Sequence, residues 1–373
     1  MRKSRFYFLE PSKVGTQHLT LLVGYVSALA ASAAIRARYD IFVCAASSTM
    51  RGLPVKELAS VRCESVAVMN PEKRRLVAKT LLEFVVVLAY LIRMRRGDRL
   101  LVTCLLPSTL LMVEWANRIL RISGAHVVLH GEVEGLFDPA PQNSLSFGYW
   151  VSRWIRLRKP GSAIRLVVLD DFIRERLLAA FPENIAAADV AVLHHPILPV
   201  VRPGPVAGGP PTACFIGYRT KFKGFDQFVK LAKDHPTCRF LAIGGGKVED
   251  MSAKDVQPSR SDQGYLSAIA GCDVAMFPYV SGYTCSLSAA ALDALATGVH
   301  IIATDRPFFQ SAALSFGSEF ITVCSSTEDA SKLLHDPAVW TRSRHRDQRL
   351  EQLSRSKYGL NAVRCAFETL AAV

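Results

Sequence analysis

Three cations stand between two glycines in Gly217-Tyr218-Arg219-Thr220-Lys221-Phe222-Lys223-Gly224, directly after the apolar run Ala213-Cys214-Phe215-Ile216. Glycine lets a ligand approach the backbone, and arginine and lysine neutralise phosphate oxygens. Gly217, Arg219 and Lys223 are therefore a candidate diphosphate cradle, with a solvated basic loop as the plainer alternative. A second run, Pro278-Tyr279-Val280-Ser281-Gly282-Tyr283-Thr284-Cys285-Ser286-Leu287-Ser288, leads into Ala289-Ala290-Ala291-Leu292-Asp293-Ala294-Leu295-Ala296-Thr297-Gly298. Its small hydroxyl residues predict a helix start whose free N–H groups can receive an anion, with Tyr279, Ser286, Leu287 and Ser288 as candidate contacts. Asp293 falls about two turns into that helix on a face of alanine and leucine, where a carboxylate needs a partner or a ligand. A third cluster, His130-Gly131-Glu132-Val133-Glu134-Gly135, puts three proton-exchanging groups after Val127-Val128-Leu129. Surface carboxylates in a loop are the bland alternative there.

These groups need strands to hold them. Short apolar runs alternate with helical stretches over the first 200 residues, which predicts a parallel sheet with covering helices. The expected strands are Arg5–Leu9, Ile41–Ala45, Leu100–Cys104, His126–His130, Arg165–Leu169 and Val190–His194. Between residues 199 and 211 the chain reads Pro-Val-Val-Arg-Pro-Gly-Pro-Val-Ala-Gly-Gly-Pro-Pro, too rich in Pro and Gly for a helix or a central strand. That segment is the expected linker between a domain over 1–198 and another over 212–373, whose last helix can pack back on the first domain. The pattern restarts with expected strands at Ala213–Gly217, Arg239–Ile243, Val274–Phe277 and His300–Ala303, and helices over Phe225–Asp234 and Ser286–Ala296. The two candidate anion loops thus both follow strands, where open α/β sheets collect ligands.

At 373 residues, 50% hydrophobic and 21% charged, the chain has material for two cores and is not a disordered sequence. Residues 1–200 carry 26 basic and 16 acidic residues, a net +10, and residues 201–373 carry 19 and 16, a net +3. The first half therefore suits an anionic partner. In Phe147-Gly148-Tyr149-Trp150-Val151-Ser152-Arg153-Trp154-Ile155-Arg156-Leu157-Arg158-Lys159 aromatics alternate with cations, and Arg93-Met94-Arg95-Arg96 closes the apolar run Leu81–Ile92. Such segments suit an anionic membrane surface, with Lys73-Arg74-Arg75 as a further contributor; an ordinary amphipathic helix with a solvated basic face is the alternative. No nucleic-acid-binding module is recognisable. The uncharged stretch Leu19–Ile35 is only mildly apolar and is expected to be a buried helix, not a span. Nine cysteines without a C-x-x-C pair predict reduced core thiols and a cytosolic setting. There is no G-x-x-x-x-G-K-[ST] loop and no G-x-G-x-x-G. His194 and His195 are adjacent on an expected strand, so their side chains should point to opposite faces and cannot jointly hold a metal.

From Ala213 to Asp305 the order F-I-G-x-R-x-x-x-K-G, F-L-A-I-G-G-G, C-D-V-A-M-F-P and L-D-A-L-A-T-G-V-H-I-I-A-T-D resembles the donor domain of GT-B glycosyltransferases, especially the retaining family 4 type. The resemblance implies two Rossmann-like α/β domains facing across a cleft, and transfer of a sugar from a nucleotide-diphosphate donor. It implies that Arg219 and Lys223 hold the diphosphate and that Asp293 holds the ribose. The arginine stands one position later than the family's G-R pair, and Cys285 occupies the place of the family's first glutamate in E-x7-E. In the first domain it implies a base for the acceptor hydroxyl, with Glu132 first and His130 and Glu134 behind it. The loop Glu10-Pro11-Ser12-Lys13-Val14-Gly15-Thr16-Gln17-His18 resembles, by position, a segment that approaches the donor phosphate. No metal and no separate cofactor are expected, since no D-x-D pair of the metal-dependent transferase kind is present and the cations and helix start can carry the leaving charge. The expected setting is the cytoplasmic face of the plasma membrane, with a polyprenyl-linked or other lipid acceptor in polysaccharide or glycolipid assembly. A sugar-nucleotide epimerase of the same fold, and a non-catalytic transferase-like binding protein, are the rivals.

Overall fold

A computed structural model describes residues 3–14, 18–53, 59–69, 76–120, 124–129, 131–137, 147–198, 209–244, 247–251, 264–344 and 356–372. The chain divides into two compact units. One is Met1–Pro196 with Cys285–Leu287 and Leu360–Val373, and the other is Ile197–Thr284 with Ser288–Gly359.

The first unit is built on β1 (Ser4–Leu9), β2 (Tyr39–Ala45), β3 (Arg62–Ser65), β4 (Arg99–Val102), β5 (Ala125–Leu129), β6 (Ile164–Val168) and β7 (Val190–Val192), in the order β3-β2-β1-β4-β5-β6-β7. All neighbours are parallel. Every connection must therefore cross a sheet face, and the central strands read as apolar runs because both faces are covered. The crossovers carry α1 (Leu19–Ala31), α2 (Ala33–Arg38), α3 (Leu76–Arg93), α4 (Pro107–Leu120), α5 (Phe147–Leu157) and α6 (Asp171–Ala180). The uncharged stretch at 19–35 is broken at Ser32, whose Oγ accepts from the Ile35 N–H at 3.1 Å and donates to Glu368 at 2.7 Å. Among the described residues no helix is long and apolar enough to cross a membrane.

For Trp154 and Arg158 the membrane-facing role expected of the 147–159 segment does not hold. Trp154 and Arg158 lie four residues apart on the inward side of the helix and its end, and both are buried. Arg158 donates to Glu114 Oε2 at 3.1 Å and to the Ile164 carbonyl at 2.7 Å. Glu114 accepts a further bond from Ser162 at 2.6 Å. Arg153 and Arg156 remain exposed, so α5 is an amphipathic helix whose large aromatic Trp154 belongs to the core. Lys73, Arg74 and Arg75 lie outside the described residues.

The second unit holds β8 (Thr212–Ile216), β9 (Arg239–Gly244), β10 (Lys247–Asp250), β11 (Val274–Phe277), β12 (His300–Thr304) and β13 (Ile321–Cys324), in the order β10-β9-β8-β11-β12-β13. Only β10 runs antiparallel, at the edge beside β9. Its helices are α7 (Phe225–Asp234), α8 (Tyr265–Ala270), α9 (Ala289–Ala296), α10 (Pro307–Phe316), α11 (Thr327–Leu334) and α12 (Pro337–Arg344). Phe215, Phe228, Phe240, Met276, Ile302 and Trp340 share one buried cluster under the sheet.

Both units match the α/β expectation of parallel sheets with crossover helices. Residues 199–208 of the expected linker lie outside the described residues. The last helix, α13 (Leu360–Ala372), packs on the first unit, where Phe367 meets Tyr25 edge-on at 5.3 Å and Tyr39 donates its hydroxyl to the Ala371 carbonyl at 2.9 Å.

Candidate functional site

In the second sheet β8 pairs with β9 on one side and with β11 on the other. The order reverses between β8 and β11, which is where the loops leaving an open α/β sheet part and leave room for a ligand. The two loops singled out in the sequence leave these strands. They are tied together: the N–H groups of Val280 and Ser281 donate to the Phe222 carbonyl at 2.9 and 3.3 Å. Gly224 sits at φ 70°, and a Cβ there would meet the Pro278 carbonyl oxygen at 1.7 Å. Gly224→Ala is therefore expected to cost about 3 kcal/mol or more, from left-handed strain of about 1–2 and overpacking of about 1–3. Thermal unfolding measures it, and an unchanged melting temperature would mean that the loops are not clamped at this point.

Lys223 is folded back over this junction. Its Nζ lies 5.8 Å from the centre of the Tyr279 ring, and a Cβ on Gly217, at φ 116°, would sit 3.1 Å from it. Burial pushes the ammonium pKa down, and among the described residues it forms no ion pair with a carboxylate. A desolvated cation beside bare backbone is suited to an incoming anion. Arg219 is exposed, its guanidinium 5.5 Å from the Phe225 ring centre. Tyr279 is buried, stacks on Tyr283 at 4.4 Å and shares a 3.1 Å hydrogen bond with Ser288 Oγ.

Helix α9 begins at Ala289, three residues later than the sequence predicts. Ser288 is its N-cap and accepts from the Ala291 N–H at 3.4 Å. Ser286 and Leu287 precede the helix and group with the first unit, so only Ser288 of the three stands at the helix start, because one side chain suffices to cap it. Asp293 finds a partner that the sequence did not disclose: the Tyr265 hydroxyl donates to its Oδ2 at 3.1 Å. Burial pushes the Asp293 pKa up to about 6, partly offset by that hydrogen bond. A carboxylate within reach of ionisation and partnered by one neutral donor keeps capacity for further donors.

In the first unit, Glu134 lies in a 3-10 turn, Gly131–Leu136, at the carboxyl end of β5. Its Oε2 accepts from the Cys285 N–H at 2.9 Å. The buried Cys285 thiol is pushed up to about 12 by burial and by the Glu134 charge, so it is neutral and not nucleophilic at ordinary pH. His130 and the Glu132 side chain lie outside the described residues.

A polar cluster underlies the order reversal of the first sheet, between β1 and β4. Glu10, immediately after β1, accepts from Thr103 Oγ1 at 2.7 Å and from the Ser12 and Lys13 N–H groups at 3.1 and 3.2 Å. His18 Nδ1 stands 3.9 Å away, on a residue at φ 57°. Burial pushes the Glu10 pKa up, but His18 and the hydrogen bonds outweigh it and hold it low. Lys79, itself buried, donates to the Ser12 carbonyl at 2.9 Å and pairs with Glu83 at 3.6 Å. The signal in the sequence was a carboxylate directly after the buried run Phe6-Tyr7-Phe8-Leu9 and a Lys–Glu pair four apart on an apolar helix.

No protein-family model matches the chain, and no curated protein matches it. Solved structures do. HepE of Anabaena, in complex with UDP-glucose, has a TM-score of 0.65 at 11% identity over 99% of this chain and 100% of that one. The sucrose-phosphate synthase of Thermosynechococcus elongatus gives 0.65 at 14% identity, covering 98% of each chain. The lipopolysaccharide outer core galactosyltransferase WaaB gives 0.58 at 10% identity, again over 98% of each. These are GT-B glycosyltransferases, and the chain, with its two Rossmann-like parallel-sheet domains, has the GT-B fold.

Proposed function

We propose that the protein transfers a sugar from a nucleotide-diphosphate donor to a lipid-linked saccharide acceptor. In this reading it works at the cytoplasmic face of the plasma membrane, in polysaccharide or glycolipid assembly. The observation that carries the donor half is the convergence of the Gly217–Gly224 cation loop with the Ser288-capped start of α9 at the strand-order reversal of the second sheet. HepE, crystallised with UDP, with UDP and glucose, and with UDP-glucose, supports a nucleotide-sugar donor for this fold. Arg219 and Lys223 bind and neutralise the diphosphate as it leaves, which stabilises the charge that develops in the transition state. Asp293 accepts from the ribose hydroxyls. Tyr279 supports the Lys223 side chain from below. Glu132, with His130 and Glu134 in reserve, takes the acceptor proton.

Calorimetry against UDP, GDP, ADP, CMP and dTDP and their sugars tests the donor half. Selective, submillimolar binding of one nucleotide is the expected result. A folded protein that binds none of them points instead to a non-catalytic binding protein, the reading that the inert Cys285 thiol favours. Metal independence belongs to the same proposal: turnover in excess chelator is expected to equal turnover with magnesium, and a drop of tenfold or more would mean that a metal, not the cation loop, carries the leaving group.

A further inference from the structure

Helices α3 and α4 lead into the neighbouring strands β4 and β5 and pack against each other. Their inner sides bury Val87, Tyr90 and Leu91 on one and Val113 and Asn117 on the other. The opposite sides are not polar, as the outer surface of a covering helix ordinarily is. Val77, Leu81, Val85 and Ile92 form a row along α3, and Trp115, Ile119 and Leu120 cover the end of α4. These are seven of the twelve large apolar side chains that are exposed among the described residues. Val77 is 75% exposed and Ile119 78%. An apolar surface of this extent marks a contact with something other than water.

The charges say what that contact is. Helix α3 contains one carboxylate, Glu83, and α4 one, Glu114; both are buried and both are engaged with cations, Lys79 and Arg158. Helix α5, which packs against α4, contains none. The outward sides of the three helices therefore present no carboxylate, while Arg118, Arg153 and Arg156 are exposed along them and Arg95 and Arg96 follow the end of α3. Arg118 lies 6.0 Å above the Trp115 ring, so cation and ring stand together.

We propose that the α3–α4 face is the surface by which the protein docks on an anionic lipid bilayer, its apolar row entering the headgroup boundary and its arginines meeting lipid phosphates. This deepens the membrane-bound reading above and rests on it for the purpose of docking. The sequence pointed to both the 147–159 segment and the Leu81–Ile92 run closed by Arg93-Met94-Arg95-Arg96 for this role, and the burial of Trp154 and Arg158 removes one aromatic and one cation of the former from it. A second copy of the chain fits the face poorly: an isologous contact would bring arginine against arginine with no carboxylate on either side to pair them.

The test is flotation of the full chain with phosphatidylcholine vesicles, with and without phosphatidylglycerol. The wild type is expected to float with the phosphatidylglycerol vesicles, less so as salt rises, and hardly at all with phosphatidylcholine alone. The Leu81→Ser, Val85→Ser and Trp115→Ser, Ile119→Ser double variants should each weaken vesicle binding by about tenfold or more, since in each of them two exposed apolar side chains lose their purchase on lipid. Their melting temperature and nucleotide affinity should not change. Vesicle binding that survives both variants, or a wild type that ignores phosphatidylglycerol, overturns the assignment. So does a wild-type dimer that the variants convert to monomer without change in flotation. Loss of nucleotide binding in the unaltered protein would instead strike the transferase reading and leave the flotation result standing.

Discussion

Arg158→Ala is expected to destabilise the first unit by about 3–5 kcal/mol, because it leaves Glu114 buried without its counter-charge. For a unit of this size that is a fall in melting temperature of roughly 10 °C. The guanidinium is held on both sides, by Glu114 Oε2 at 3.1 Å and the Ile164 carbonyl at 2.7 Å, so deletion also orphans a carbonyl. Arg158→Met combined with Glu114→Gln should recover much of the loss, since no charge is then left unpaired. Arg153→Ala and Arg156→Ala, on the exposed side of the same segment, should stay within about 0.5 kcal/mol of wild type. Thermal and urea unfolding of the four proteins decides the matter. An Arg158→Ala protein as stable as wild type would return this arginine to the solvent side of the helix.

Lys223→Ala should weaken nucleoside-diphosphate binding by about 1.5–3 kcal/mol, or roughly 10- to 150-fold, the worth of a charge-assisted hydrogen bond. Asp293→Ala should cost about 1–3 kcal/mol through the ribose, and its effect carries a pH signature. With its pKa at about 6, Asp293 is protonated below that value and meets the ribose hydroxyls as a weaker acceptor. Nucleotide affinity should therefore rise as pH increases towards 6 and level off above it. The diphosphate also titrates in this range, so the measured quantity is the difference between wild type and Asp293→Asn, which lacks the carboxylate component. Stability runs the other way. A raised folded-state pKa means that the native state holds the proton more tightly than the unfolded chain, so the contribution of Asp293 to stability falls between the unfolded value near 4 and about 6. Asp293→Asn should accordingly melt higher than wild type at pH 7 while binding nucleotide less well. Equal affinity for the two proteins across pH 5–8 would remove Asp293 from the donor site.

The strands that were legible in the sequence are those buried on both faces. Phe6-Tyr7-Phe8-Leu9 and Ala213-Cys214-Phe215-Ile216 announce themselves because parallel central strands admit no polar face. The edge strand β3, Arg-Cys-Glu-Ser, has no apolar run to read, since it is largely exposed. The antiparallel β10 owes its existence to pairing with β9, not to its own residues. In the donor loops the residue types were informative, because glycine, lysine and a capping serine act through local geometry. Tyr265 was not found as the partner of Asp293, because a hydroxyl–carboxylate pair formed across 28 residues of chain leaves no spacing signature. Arg158 was misread for a related reason. Arginine in an aromatic run looks the same whether its face turns to lipid or to core, and Glu114, the residue that decides it, is far away in sequence.

The return of α13 to the first unit bears on how the molecule is made. Phe367 closes on Tyr25 and Phe6, Glu368 on Ser32, and the Ala371 carbonyl on Tyr39. On the ribosome, the first seven strands emerge long before the helix that covers α1. The whole second unit must be synthesised in between. During that interval Tyr25 and Phe6 wait without their cover, and the unit begun first is the one finished last. A fragment ending at Pro196 inherits the same incompleteness, so expressing the first unit alone calls for grafting residues 360–372 onto it, a design in which chain order and spatial order are made to agree.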